Sequence, residues 1–176
     1  ESSKKQEKAV VLNFLDETWQ GFRHGKKEDF DKSPITSVSV GKAKDLGAKL
    51  ATLPADLKYF RKIKKLLNDR LEMLESNRLD WGMAEMMAYA SLLDEGFPVR
   101  ISGQDVERGT LSHRHAVVKT EDDEQEIVTL NLLDDDQAKF HIYNSLLSEY
   151  GVLGFEYGYS LATPKTLTIW EAQFGD

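Results

Sequence analysis

The stretch "RLDWGMAEMMAYASLLDEG", residues 78 to 96, constrains this chain more than any other, because it is apolar nearly all round and ends on a glycine. A helix without a wet face has to be buried, and Gly82, Ala84, Ala88 and Ala90 are small enough to let neighbours come close. Gly96 is placed to close it, since the residue just past a helix end is commonly left-handed and glycine adopts that conformation without strain. The next residues, "FPVRISG", form a short β-type run, so the region reads as a helix feeding a strand. A buried helix needs a core around it, and 176 residues supply one domain with one core.

The alternation continues downstream. A polar loop, "QDVERGTLSHRH", leads to a second short run, "AVVKT", and then to "EDDEQE", an acidic tip that reads as a solvated hairpin or loop. "FHIYNS" is a third strand, "SEYGVLGFEYGYSLA" a helix and "KTLTIWEA" a fourth strand. This order predicts an α/β fold, a mostly parallel sheet flanked by helices. Upstream, residues 1 to 36 mix a short apolar patch with charged runs and read as an arm. Ser39 then caps a short helix, and Pro54 suits the first turn of a second one. There Leu57, Phe60, Ile63, Leu67, Leu71 and Leu74 share one face, with Arg61, Lys62, Lys64 and Lys65 on the wet side. Residues 1–77 are thus a helical linker or arm, and 78–176 the α/β part. Trp19, Trp81 and Trp170 are expected as core anchors; His24 and His141 are expected as ordinary surface or strand residues.

Composition excludes several functions. A net charge of −7 argues against a nucleic-acid partner, because tracking phosphates needs clustered Lys and Arg that carboxylates do not outvote. Zero cysteines exclude disulfides and thiolate metal sites, and fit a reducing compartment. No apolar run approaches the roughly 20 residues that span a bilayer, and "ESSKKQEKAV" lacks a signal-peptide core.

Ligands in parallel sheets gather at the carboxyl ends of strands. Three polar clusters fall there: "SGQD", "NSLLSE" and "WEAQFGD". Glu149 opens the helix of the second cluster. It reads either as a charge complementing the helix macrodipole or as a carboxyl that shares a proton with a ligand nitrogen. Gly151, Gly154 and Gly158 in that helix cost stability, about 1 kcal/mol each relative to alanine, so a closely packed neighbour, such as a second subunit, is expected to compensate. His113 and His115, flanking Arg114, read as general acids or substrate-carboxylate ligands, or as loop anchors or dimer contacts. Two residues apart, they would share one face of a strand, and too few further ligands lie near for zinc, so no metal site is expected.

Two strings, "DWGMAEMMAYASLLDEGFPVRISGQDVERGTLSHRH" and "NSLLSEYGVLGFEYGYS" with "LTIWEAQFGD", resemble the first, decarboxylating component of 2-oxoglutarate dehydrogenase. The resemblance runs from Arg78 to Asp176 and is weaker over the first 77 residues. It implies the amino-terminal part of a transketolase-like domain that binds the aminopyrimidine of thiamin diphosphate, continuing beyond Asp176. It further implies that Glu149 hydrogen-bonds a ring nitrogen and activates the cofactor, that Gln173 and Phe174 flank the ring, and that Asp105 lines a polar tunnel between two cofactors. For Asp105, capping of its own loop is the equal alternative. The diphosphate and Mg would be held by a separate domain, so these 176 residues alone are expected to be inactive. The implied partners are a second copy in a homodimer, the lipoyl-bearing succinyltransferase and 2-oxoglutarate, in bacterial cytoplasm or mitochondrial matrix. A 2-oxoadipate-specific paralogue and a non-catalytic assembly module are the alternatives. The last strand, 166 to 171, is expected to be exposed on one side.

Overall fold

The computed structural model describes residues 16–173. Its principal elements follow in the order α1 (Val40–Leu50), α2 (Arg61–Ser76), α3 (Trp81–Asp94), β1 (Val99–Gly103), β2 (Val117–Lys119), β3 (Glu126–Val128), β4 (Phe140–Asn144), α4 (Glu149–Ala162) and β5 (Leu167–Glu171). The main sheet has the order β4-β1-β5 and is parallel throughout. Val99 lies beside Phe140 and Leu167, and Gly103 beside Asn144 and Glu171, so three carboxyl ends finish level. The fold is α/β, as the alternation predicts.

β1 is central because both of its faces are covered. Val99 and Ile101 enter the main core with Met83, Met86, Ala90 and Leu93 of α3 and Leu46 and Leu50 of α1. Asp80 accepts a hydrogen bond from the Met83 amide at 2.7 Å and so caps α3, and Gly96, at φ +85°, follows its last turn. Gly82 is required by close approach: a Cβ there would stand 2.5 Å from the His113 carbonyl oxygen. The acidic tip is solvated and joins β2 to β3 in an antiparallel hairpin. That hairpin lies on α2 through a second cluster, Tyr59, Ile63, Leu67, Val118 and Ile127.

Some local expectations change. Helix α2 starts at Arg61, not near Pro54, because Tyr59 is buried and bridges Thr120, which holds the preceding residues extended against the hairpin. Its buried stripe is Ile63, Leu67 and Arg70, while Phe60 and Leu71 are exposed. Trp81 is 89 % exposed rather than a core anchor: it opens α3, and the turn that brings Gly82 and Met83 inward points it out. Trp19 is also at the surface, its Nε1 donating to the Leu161 carbonyl at 2.7 Å.

Helix α4 is unusual because Glu156 is its only buried residue. Arg100 of β1 grips that carboxylate with two parallel bonds, Nε to Oε2 at 2.8 Å and Nη2 to Oε1 at 2.8 Å. The guanidinium also lies over Tyr143, Phe155 and Tyr159, at 4.8, 5.2 and 4.7 Å from their ring centroids. A polar clamp, not an apolar stripe, therefore holds α4 on the sheet within this chain. Outside their own helix, no heavy atom of the described residues lies within 4 Å of where a Cβ of Gly154 or Gly158 would stand, so the tight packing expected of them is not made among the described residues. β5, like β4, is an edge strand of the main sheet.

Candidate active site

The three polar clusters meet. Because β1, β4 and β5 end level, Gln104, the loop 145–148 and Gln173 surround the amino end of α4, and its first residue is Glu149. Gln104, Ser145, Leu146, Glu149, Val152, Trp170, Glu171 and Gln173 line one small cavity there. Gln104 donates from Nε2 to Glu149 Oε1 at 2.7 Å. Gln173 donates from Nε2 to the Gln104 carbonyl at 3.2 Å and to Thr110 Oγ1 at 2.7 Å. Ser148, the residue before the helix, makes no side-chain cap. Glu149 is half-buried, and among the described residues its Oε2 accepts no hydrogen bond.

Beneath this edge lies a buried ion network that neither composition nor spacing signals. Arg114 is 1 % exposed. Its Nε and Nη2 donate to Glu85 at 3.0 and 2.9 Å, its Nη1 donates to the Val106 carbonyl at 2.8 Å, and Nη2 also pairs with Glu171 Oε2. Burial works against this charge, yet the hydrogen bonds and charges of Glu85 and Glu171 hold the guanidinium above its ordinary range. Arg114 is thus a structural tie between α3 and the end of β5, with all three guanidinium nitrogens engaged. Arg70, 2 % exposed, donates from Nη2 to the Arg114 and His113 carbonyls, and its Nη1 has no partner among the described residues. Burial lowers its pKa, with Asp80 partly opposing.

The remaining sequence candidates sit around the loop between β1 and β2. Asp105 adopts φ +56° and pairs with Arg108, so within this chain it anchors its own turn. His113 and His115 precede β2 and do not share a strand face, because His115 stands at φ +42°, in the left-handed region. The His113 ring fills the space over Gly109, with Nε2 3.9 Å from Glu85. His115 is held below the ordinary histidine pKa first by burial, then by Arg70, Lys62 and Arg108. Neither histidine lines the Glu149 cavity. Phe174 lies outside the described residues. Trp170, expected as a core anchor, is half-buried and forms a wall of the cavity. Among the described residues no cluster of His, Asp or Glu could hold a metal ion, and no helix is long and apolar enough to cross a membrane. Sequence reading singled out Asp105 but not its neighbour Gln104; the one signal was that both stand in the polar cluster after β1.

Ligands of open parallel sheets bind outside the carboxyl ends of the strands, and that is the edge Glu149 occupies here. The chain belongs to the family "Transketolase, pyrimidine binding domain", whose profile matches residues 77–176. The curated relatives it matches include 2-oxoglutarate dehydrogenase E1 components. That of Coxiella burnetii is 56 % identical over 150 residues, which cover 85 % of this chain and 16 % of the relative. Those of Brucella ovis and Brucella canis are each 44 % identical over 165 residues, covering 93 % of this chain and 16 % of the relative. The chain therefore spans about one sixth of the length of the relatives it matches.

Proposed function

We propose that this segment forms the aminopyrimidine-binding wall of a thiamin diphosphate-dependent 2-oxo acid dehydrogenase acting on 2-oxoglutarate, and that Glu149 is its cofactor-contacting acid. One observation carries the reading: Glu149 stands where the three strand ends converge, with one carboxyl oxygen engaged by Gln104 and the other free to meet a ligand.

The residue types at this edge suit such a ring, which would lie over the narrow cavity rather than inside it. A heteroaromatic ring with edge nitrogens needs one proton-sharing carboxyl, a polar amide or two, and apolar walls for its faces. Here Glu149 supplies the carboxyl, Gln104 and Gln173 the amides, and Val152, Leu146 and Trp170 the walls. Bound thiamin diphosphate supplies the electron sink for decarboxylating a 2-oxo acid. Glu149 would hold a proton at the ring nitrogen from the amino end of α4, and the Arg100–Glu156 clamp would fix the helix that presents it. The relatives' name supports 2-oxoglutarate as substrate. Succinyl transfer to a lipoyl group, Mg-bound diphosphate, a homodimer and a cytoplasmic or matrix location extend the same proposal, as does a tunnel role for Asp105.

The test is Glu149→Gln in the full-length protein, assayed for 2-oxoglutarate decarboxylation with thiamin diphosphate and Mg. A loss of about a hundredfold or more, with circular dichroism unchanged, is the expected result. Wild-type turnover would assign Glu149 to the helix dipole alone.

A further inference from the structure

Among the described residues, Gln104 ties all three strand-end segments together. Its side chain donates to Glu149 Oε1 at 2.7 Å, and its carbonyl accepts from Gln173 at 3.2 Å, which in turn reaches Thr110. A carboxylate offers only acceptors, so the amide nitrogen, not the amide oxygen, must face Glu149. A donor on Oε1 satisfies that oxygen and leaves a proton carried by Glu149 to reside on Oε2. A glutamine makes this donation at every pH. A carboxyl in its place would do so only while the pair holds a proton, because two close carboxylates repel.

We propose that Gln104 is a positioning residue for Glu149: it occupies Oε1 and so directs Oε2 toward the ring nitrogen of the bound aminopyrimidine. The inference rests on the reading of Glu149 given above. Two other carboxylates lie beside the pair, and both are occupied: Glu171 by Arg114 and Asp105 by Arg108. Among the described residues Gln104 is therefore the side chain that engages Glu149 and leaves Oε2 as the open oxygen.

The experiment uses the full-length enzyme with thiamin diphosphate and Mg, and compares Gln104→Leu, which fills the space without donating, with Gln104→Glu. Calorimetry gives the cofactor Kd, and steady-state kinetics give kcat and KM for 2-oxoglutarate, both across pH. Gln104→Leu is expected to lose about ten- to a hundredfold in kcat at every pH, with KM for 2-oxoglutarate unchanged and the cofactor bound more weakly. Gln104→Glu is expected to recover cofactor affinity and kcat at acid pH and lose both as pH rises, along a limb the wild type lacks. Wild-type kcat and Kd in Gln104→Leu, or equal behaviour of the two variants at all pH values, would overturn the inference. Should Gln104→Leu fail to fold, the pH limb of Gln104→Glu decides alone. Glu149→Gln in parallel separates the two failures. Full activity there removes the role of Glu149 and this inference with it, whereas an inactive Glu149→Gln beside a fully active Gln104→Leu removes the inference only.

Discussion

Replacing Glu156 by leucine would strand the Arg100 guanidinium, which is 14 % exposed and sits among three aromatic rings. Breaking a buried ion pair from one side costs about 3–5 kcal/mol, because the remaining charge stays desolvated. The rings stabilise the guanidinium by about 0.5–2 kcal/mol for a cation over an aromatic face, but they do so equally in the wild type and so do not reduce the difference. Since Glu156 is the only buried residue of α4, the loss falls on the docking of that helix. The readout is amide hydrogen exchange across α4 and β1, which reports local opening. At 1.36 kcal/mol per factor of ten, exchange should accelerate by about a hundredfold to a few thousandfold. The double variant Arg100→Met with Glu156→Leu replaces the pair by apolar groups of similar volume, and such replacements are near neutral. It should return most of the protection, giving a coupling of about 2 kcal/mol or more in the double-mutant cycle. Protection unchanged in Glu156→Leu, or a double variant as poor as the sum of the two singles, would refute the view that a polar clamp docks this helix.

Two further outcomes follow from the network under the site. Arg114→Met leaves Glu85 and Glu171 facing each other without their shared cation, and should destabilise by about 3–5 kcal/mol. Arg108→Ala removes an exposed pair with Asp105 worth at most about 1 kcal/mol, and comparing exchange at the end of β5 in the two variants checks the contrast. His115 has its pKa lowered from 6.5 on folding, chiefly by burial. The folded state therefore binds fewer protons than the unfolded one below that value, so its contribution is present above about pH 6.5 and lost as pH falls through the folded pKa. His115→Gln should flatten this acid-side slope of stability in a pH series of denaturation curves, and an unchanged slope would show that other groups set it.

The sequence by itself determined the class of fold and the neighbourhood of the site. The all-round apolarity of α3 left burial as its only option, the helix and strand alternation required a parallel sheet, and parallel strands bring the residues after them to one edge. Glu149, Gln104 and Gln173 were thus destined for the same end of the sheet, whichever neighbours they took. Pairing was another matter. That Gln104 rather than Asp105 would reach Glu149, that Arg114 would pair with Glu85 and Glu171, and that Pro54 would lie in a connection well before α2, depended on contacts between residues 29 to 61 positions apart. Local periodicity carries no information about such partners. A hydrogen bond or ion pair is decided by which side chains the packed core leaves within about 3 Å of each other, and that distance exists only once the chain has folded.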